Sequence, residues 1–250
     1  MSLVENFRTV LSHSAGELPG DELLPERLAR ACAEVLPVYG AGISLCFAPG
    51  RHLPLGASGP ASTEIERQQF TTGEGPCIAS HDSGAPVLAG DATLSSRWPG
   101  FYDALATRTP VRSIITLPLP DPLLGIGALD LYISPPQGVE ALAPIDALTA
   151  GACVTAALQE SSGRASSDPG LPAWVDAPPA RRRSLVWQAI GLVSAVLNVP
   201  GHDALSLLRA HAYADESSLD ELAARLLAGD AHPEDMAVDS DGPGTSGRTR

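Results

Sequence analysis

Residues 181–230, RRRSLVWQAIGLVSAVLNVPGHDALSLLRAHAYADESSLDELAARLLAGD, decide the fold of the C-terminal part of the chain. Apolar residues recur at helical spacing in three segments of this stretch, and short joints separate the segments. Pro200 cannot continue a helix interior, so it marks the first joint. Ser218 and Glu221 match the S-x-x-E capping box, and Gly229 is a natural helix end. The stretch therefore predicts three helices with tight joints.

The first of these helices has an unusually wide apolar face, because two apolar stripes run side by side along it. A face this wide exceeds what packing against one neighbour needs. We therefore expect it to contact both the other helices and a second copy of the chain. Gly191 within this helix costs about 1 kcal/mol relative to Ala, which favours a close helix approach there. The stripes consist of Leu185, Ala189, Leu192 and Val196, and of Val186, Ile190, Val193 and Leu197.

The segments QAIGLVSAVLNV, DALSLLRAHAYA and SLDELAARLLAG resemble the ANTAR domain. Members of that family are small helical modules that bind paired RNA hairpins in nascent transcripts as dimers and prevent termination. The resemblance implies the same activity and a homodimer here. Ile190 departs from the family pattern, since many members have Lys there, and so does Pro200, where a Ser cap is common. The matching positions are Ala189, Gly191, Arg209, Ala212, Tyr213, Leu219 and Ala223.

The residues expected to contact RNA combine these matches with nearby arginines. Arg209 and Tyr213 are four residues apart and share a helix face, which suits a base splayed out of an RNA loop. Alternatively, they are a surface Arg beside a half-buried Tyr. The stretch 181–230 holds five Arg against six acidic residues, so RNA binding is inferred from resemblance and not from charge. The expected RNA-binding residues are Arg181, Arg182, Arg183, Ala189, Gly191, Arg209, Ala212 and Tyr213.

Composition narrows the class of protein. The chain of 250 residues has a formal net charge of −13, which argues against non-specific binding to nucleic acid or to an anionic membrane. No apolar run approaches the length of a membrane span, and the N-terminus lacks a signal-peptide core. We therefore expect a cytoplasmic protein. Its thiols are expected to be reduced, because the four cysteines form no C-x-x-C pair: Cys32, Cys46, Cys77 and Cys153.

The residues before 161 predict an α+β domain. A short helix within 1–19 precedes a domain over 20–160, in which a helix, strands, helices, further strands and a long helix follow one another. This order predicts a largely antiparallel sheet flanked by helices. Residues 161–180 are rich in Ser, Pro and Gly and predict a linker, in which Trp174 is free to dock on a domain. The acidic, Gly-rich residues 231–250 predict a disordered tail.

Five segments of this region, in order and spacing, resemble a GAF domain of the version that precedes ANTAR domains in actinobacteria. GAF domains are sensory modules with a sheet of about six strands and a cleft that often binds a small ligand. The resemblance therefore implies a sensory domain over 20–160 with a small-molecule ligand whose identity is unknown. The segments are LPERLARACAEVLPVYGAGISL, QFTTGEGPC, PVLAGD, RWPGF and SIITLPLP followed by GALDLY.

Candidate ligand residues cluster around the Gly-rich turn of this region. They are expected to line the cleft, although ordinary core filling is the simpler explanation of the aromatic members. Cys77 and His81 are four residues apart on a predicted helix, where a histidine can lower the pKa of a thiol. Asp130 is a charge within an apolar strand, and it either points outward or accepts hydrogen bonds from a loop. The expected cleft residues are Phe70, Glu74, Cys77, Trp98 and Phe101.

These observations predict a regulator and not an enzyme. The GAF-like domain senses a signal, and the ANTAR-like helices bind RNA hairpins as a homodimer and block termination. A second hypothesis is a thiol-based redox sensor or enzyme with a reactive Cys77, in which the helices serve only for dimerisation. DNA is the partner we expect least, because the third helix begins with Asp220 and Glu221 and offers only Arg225 to a major groove. No metal site is predicted, since no third ligand accompanies Cys77 and His81.

Overall fold

The structure, a computed structural model, describes residues 2–47, 51–163 and 171–236. Residues 2–163 form a domain built on a β-sheet, here called the sheet domain, and residues 178–236 form the helical module. The strands are β1 Gly40–Cys46, β2 His52–Ala57, β3 Val87–Ala89, β4 Ser113–Pro118 and β5 Gly127–Ile133. The helices are α1 Leu3–Glu17, α2 Leu24–Val35, α3 Pro60–Thr72, α4 Pro76–Ser83, α5 Asp91–Arg97, α6 Pro99–Arg108, α7 Pro144–Glu160, α8 Pro178–Leu197, α9 Gly201–Ala214 and α10 Leu219–Ala228.

The sheet is antiparallel throughout, with the strand order β2-β1-β5-β4-β3. This confirms the predicted α+β domain with an antiparallel sheet flanked by helices. The described residues hold five strands, whereas the GAF resemblance implied about six. The strand expected over 85–91 shrinks to the three residues of β3, because Pro86 cannot donate a ladder hydrogen bond and Asp91 already begins α5.

Helices cover both faces of the sheet. Successive side chains of a strand point to opposite faces, so Leu129 and Leu131 of β5 face one side while Tyr132 faces the other. The first side packs against α1, α2 and α7, and its core includes Phe7, Leu28, Ile43, Ile115 and Val154. The second side is covered by α3, α5 and α6, and its core includes Ile65, Leu94, Phe101, Leu105 and Ile114.

Two helices of the second face differ from expectation. The helix predicted over 98–107 is α6, and the short helix α5 before it was not predicted. Pro99 separates the two helices, because it disfavours a helical conformation at Trp98, which has φ −137° and ψ 66°. The helical turn predicted over 61–70 is the full helix α3, which ends at Gly73 with φ 74°. Helix α3 lies between the sheet and the helical module and contacts α9 and α10, while α8 contacts β2 directly.

The helical module confirms the three predicted helices. Asn198 ends α8 in the left-handed region with φ 53°, just before Pro200. The capping box of Ser218 and Glu221 is present in both directions, and Gly229 ends α10 with φ 84°. The module has its own core, formed by Val186, Ala189, Val193, Leu208, Ala212, Leu222 and Leu226. Among the described helices, none alone is long and apolar enough to span a membrane. Helices α8 and α9 are long and apolar enough only when taken together, and the chain bends by 107° between them.

The predicted linker and tail are partly folded. Trp174 is buried in the core of the sheet domain, where its Nε1 donates to Leu158 O at 3.2 Å. Helix α8 begins at Pro178 and not at 181, so the second half of the expected linker is structured, while 164–170 lie outside the described residues. The start of the predicted disordered tail is folded, because Met236 at the end of a short 3₁₀ helix is buried in the core of the helical module. Residues 237–250 lie outside the described residues.

Gly191 does not mark a close helix approach within the described chain. Its position on α8 is exposed, and no described atom outside its own helix turn lies within 4 Å of the place where a Cβ would stand. The expectation failed because the neighbouring helices pack against the opposite face of α8, through Val186, Ala189 and Val193. The glycine therefore lies on the face of α8 that the described residues leave open.

Candidate functional site

The two parts of the chain meet around the ring of Phe70, near the end of α3. The guanidinium carbon of Arg183 lies 3.5 Å from the ring centroid, and that of Arg209 lies 5.5 Å from it. A guanidinium over an aromatic face is attracted by the ring quadrupole, and the attraction grows when water is excluded. Phe70 is 1% exposed and belongs to the core of the helical module, although its helix belongs to the sheet domain. We call this contact region the joint.

Arg183 is the most deeply buried charge of the joint. Its side chain is 1% exposed, its Nε lies 3.2 Å from Asp220 Oδ1, and its Nη1 donates to His52 O at 3.2 Å. Burial lowers the pKa of Arg183, whereas the adjacent Asp220 raises it. The guanidinium remains charged, since an arginine keeps its proton in proteins. Removing one partner of such a buried ion pair strongly destabilises the folded protein, because the other charge is left buried without a partner.

Arg209 reaches the C-terminal end of α3. Its Nε donates to Phe70 O at 3.2 Å, which satisfies one of the carbonyl groups that a helix end leaves unpaired. Gly73, just after α3, leaves room for the Arg209 side chain, because a Cβ at this position would lie 2.8 Å from the guanidinium. Burial and the neighbouring Arg183 lower the pKa of Arg209. The side chain expected to contact RNA therefore binds the sheet domain in this arrangement.

Further hydrogen bonds join α3 and α6 to the helical module. Arg67 donates to Ser218 Oγ at 2.9 Å and to Glu221 Oε1 at 3.0 Å. Since Ser218 and Glu221 also form the capping box of α10, the sheet domain is tied to the start of that helix. Two weaker contacts lie beside this one: Leu219 N donates to Thr71 Oγ1 at 3.4 Å, and Arg108 Nη2 donates to Glu216 O at 3.5 Å.

Behind the joint lies a buried polar cluster between α3 and the sheet. Tyr132 Oη donates to Glu66 Oε1 at 2.5 Å, and Asp130 accepts from Thr116 Oγ1 and from Gln69 Nε2. Burial raises the pKa of Asp130 and, together with the nearby Asp130 carboxyl, raises the pKa of Glu66 well above its usual value. The two carboxyl groups therefore hold protons at a higher pH than exposed acids do.

Asp130 was expected either to point outward or to accept hydrogen bonds from a loop, and the structure shows neither. It does not point outward, because strand alternation places it on the face of β5 that α3 covers, beside Tyr132. Its partners also differ from the expected loop, since Thr116 belongs to β4 and Gln69 to α3. Burial of a carboxyl group is tolerated there because hydrogen-bond donors surround it.

Cys77 and His81 do not form the expected pair. Cys77 Sγ lies 3.4 Å from both Ser44 Oγ and His52 Nε2, whereas His81 Nε2 lies 2.9 Å from Cys46 O. The start of α4 faces the core, while its end approaches the end of β1, so the two side chains meet different surroundings. Burial, and then the carboxyl groups of Asp130 and Glu66, raise the pKa of Cys77 well above its usual value. The thiol is thereby kept protonated and poorly nucleophilic.

The expected cleft residues are distributed over the sheet domain. Phe70 faces the helical module, and Cys77 lies in the polar cluster near His52. Trp98 and Phe101 are part of the second core, and Glu74 Oε1 accepts a hydrogen bond from Phe101 N at 2.9 Å. Glu74 therefore caps the start of α6. The grouping of these five residues around one ligand stays a prediction.

The expected RNA-binding residues likewise divide into exposed and buried sets. Arg181, Arg182, Gly191 and Tyr213 are exposed, and Tyr213 is 67% exposed. Ala189 and Ala212 are buried in the core of the helical module, and Arg183 is buried in the joint. Arg209 and Tyr213 do not form a clamp in this arrangement, because Arg209 is turned toward Phe70.

Sequence reasoning missed the residues that join the two parts of the chain. Phe70 was expected in a ligand cleft, and neither His52 nor Asp220 was singled out as a partner of Arg183. One signal was present, since Phe70 is an isolated large apolar residue in the polar run RQQFTT. Such a residue indicates a contact with another element but not which element.

The chain matches no family model and no curated protein. It is similar in structure to the GAF domain of a phosphoenolpyruvate-protein phosphotransferase from Coxiella burnetii, with 15% identity, 65% of this chain and 98% of that chain covered, and a TM-score of 0.44. It is also similar to the GAF domain of an Acinetobacter phosphoenolpyruvate-protein phosphotransferase, with 14% identity, 67% and 100% coverage, and a TM-score of 0.42. A third similar structure is a free methionine-R-sulfoxide reductase from Neisseria meningitidis in complex with its substrate, with 16% identity, 64% and 92% coverage, and a TM-score of 0.40.

Proposed function

We propose that this protein is a signal-responsive transcription antitermination regulator. In this proposal the sheet domain is a GAF-like sensor, and the helical module is an ANTAR-like unit that binds paired RNA hairpins. One observation carries the proposal. The helical module has three helices with the expected breaks between them, and it is docked on the sensor domain through Arg183 and Arg209. A docked arrangement of this kind couples the state of one part to the availability of the other.

The exposed residues of the helical module support an RNA-binding face. Arg181 and Arg182 at the start of α8 offer cations to phosphates, and Tyr213 on α9 offers an exposed ring on which a base can stack. The net charge of the chain, −13, repels RNA. RNA binding is therefore expected to be weak and sensitive to salt while the module is docked.

Docking engages the residue on which the RNA-binding face depends most. Arg209 donates to Phe70 O and lies over the Phe70 ring, so it cannot contact RNA at the same time. We infer that the docked arrangement is the inactive state and that a signal releases the module. Such a signal shifts the equilibrium only by as much as it favours the released state.

Homodimerisation is part of the proposal. Val196 on α8 is 43% exposed and lies outside the core of the module, unlike Ala189 of the same stripe. A second copy packing against this end of α8 would cover it. Sedimentation equilibrium tests this: Val196→Asp is expected to give monomers, and Leu227→Asp, at a 40% exposed position of α10, is the matched control and is expected to leave the dimer intact.

RNA binding itself is tested by titrating a labelled RNA that contains two consecutive hairpins with the full-length protein at several salt concentrations. We expect binding that weakens as salt rises. Tyr213→Ala is expected to weaken it by about 1–3 kcal/mol, the usual worth of stacking a base on an aromatic ring. Tyr39→Ala, at a 48% exposed tyrosine of the sheet domain, is the control and should leave binding unchanged. Equal loss in both variants, or no loss in either, would remove Tyr213 from the proposed face.

The thiol-sensor alternative draws less support from the geometry. A redox sensor needs an accessible, ionised thiol. Cys77 is 1% exposed, and its surroundings raise its pKa.

A further inference from the structure

A cavity of about 400 Å³ lies at the joint, between β2 and α3 of the sheet domain and α8 and α10 of the helical module. Its volume is within the range of small-molecule sites, and such sites often lie between domains. Most of its wall is apolar, with Pro54 and Ala57 on one side and Leu185 and Ala224 on the other. Because both parts of the chain supply the wall, the cavity exists only while they are docked.

One of the three arginines around the cavity has no ion-pair partner among the described residues. Three arginines line it: Arg183 is paired with Asp220, and Arg67 is paired with Glu221 at 3.0 Å. The third, Arg182, is exposed and has no ion-pair partner among residues 2–47, 51–163 and 171–236. A molecule with a single negative charge would therefore neutralise the unpaired positive charge of Arg182 in the cavity wall.

Glu66 bounds the inner end of the cavity but does not offer its carboxyl group to it. The residue is 2% exposed, and its Oε1 accepts a hydrogen bond from Tyr132 Oη. Its Oε2 is inaccessible to solvent, and it lies 4.0 Å from His52 Nε2. The Asp130 side chain interacts with the same carboxyl group. The remaining charges of the wall are therefore those of the three arginines, Asp220 and Glu221, and Arg182 is the one without a partner among the described residues.

We propose that this cavity is a binding site for a small organic monoanion with an apolar body. The apolar body fills the space between Ala57 and Ala224, and the anionic group meets Arg182 at the rim. This site is distinct from the expected cleft around Trp98 and Phe101. The inference does not rest on RNA binding. Its consequence is that an occupant stabilises the docked arrangement, because it binds only that arrangement.

The test uses 8-anilinonaphthalene-1-sulfonate, whose aromatic rings and single sulfonate match this chemistry, with the folded full-length protein. We expect saturable binding with one site per chain and a rise in the unfolding temperature. Ala224→Phe places a ring in the cavity and is expected to weaken binding by at least about tenfold, which is about 1.4 kcal/mol. Ala228→Phe adds the same ring at an exposed position of α10 that does not line the cavity and should leave binding unchanged.

A charge variant keeps the test decisive if Ala224→Phe folds poorly. Arg182→Gln is expected to weaken dye binding about two- to fivefold, as for an exposed charge pair, whereas Arg181→Gln, next to it and outside this cavity, should have no effect. The proposal is overturned if the dye does not bind, or if it binds equally to the wild type, Ala224→Phe and Arg182→Gln. It is also overturned if Arg181→Gln weakens binding more than Arg182→Gln does.

Discussion

The guanidinium of Arg183 lies over the ring of Phe70, with 3.5 Å between the guanidinium carbon and the ring centroid. Phe70 belongs to the sheet domain and Arg183 to the helical module, so this contact is one of those that join the two parts. The same guanidinium also binds Asp220 of the helical module and the carbonyl of His52 in the sheet domain. Arg183 therefore contacts both parts of the chain at once.

Removal of Arg183 is expected to destabilise the protein more than removal of either arginine before it. Arg183→Ala leaves the partly buried Asp220 without its partner, which costs about 3–5 kcal/mol for a buried pair. Urea unfolding of the variant measures this loss. Arg181→Ala is the matched control, since that side chain is 65% exposed and its change should stay within about 0.5 kcal/mol. A loss for Arg183→Ala no larger than for the control would contradict the structure of the joint.

His52 predicts a loss of stability in mild acid. Burial, and then the positive charge of Arg183, lower the pKa of His52 to about 3 in the folded state. The unfolded chain takes up a proton near pH 6.5 and the folded chain does not, so this stabilisation is present above pH 6.5 and is lost as the pH falls from there toward 3. The slope is about 1.4 kcal/mol per pH unit within that window. His52→Gln is expected to lack this component, and unfolding curves at pH 7 and pH 5 for both proteins measure it. Parallel pH dependence in the two proteins would show that His52 is not buried in its neutral form.

Glu66 predicts the opposite pH dependence. Burial raises its pKa in the folded state, so its contribution is complete below the usual pKa of a glutamate and is lost as the pH rises toward the folded value. Glu66→Gln keeps the shape of the side chain and removes the titration. We expect the variant to gain stability relative to the wild type between pH 4.5 and neutral pH, measured by urea unfolding. If the wild type instead gains relative to Glu66→Gln over this range, the carboxyl group is ionised in the folded protein.

Cys77 is expected to be protected from alkylation. Its thiol is 1% exposed and burial raises its pKa, as is also the case for Cys32. Iodoacetamide added to the native protein at pH 8 should modify the half-buried Cys46 and Cys153 first, with peptide mass spectrometry as the readout. Unfolding in urea should then make all four thiols react. Modification of Cys77 ahead of Cys46 would revive the thiol-sensor hypothesis.

Local patterns predicted the elements of this fold well. The segments 113–119 and 127–134, separated by the turn PDPLLGI, predicted β4 and β5, and helical spacing with a capping box predicted α10 to within a residue. These signals succeed because each depends on neighbours in the chain. Helix α6 was predicted over 98–107 in the same way, whereas the short helix α5 before it was not predicted.

The joint could not be predicted in this way. Arg183 and Phe70 meet only because α8 crosses β2 and α3 in space, and no local spacing encodes that crossing. The same holds for Asp130, whose orientation depends on donors from β4 and α3. A run of three arginines suggests a solvated surface, yet the third is buried because Asp220 and Phe70 receive it. Long-range partners decide the role of a charged residue, and sequence spacing does not show them.

The central claim is that docking on Phe70 holds the RNA-binding face inactive, and one comparison of RNA affinities tests it most directly. The full-length wild type, Phe70→Ala and Phe47→Ala are titrated into a labelled RNA with two hairpins, after circular dichroism has shown that each is folded. Phe47 is 56% exposed and serves as the control. We expect Phe70→Ala to bind at least about tenfold more tightly, because the binding-competent state no longer competes with docking, and we expect the addition of Arg209→Ala to remove the gain. Equal affinities of Phe70→Ala and Phe47→Ala, or weaker binding by Phe70→Ala alone, would contradict it.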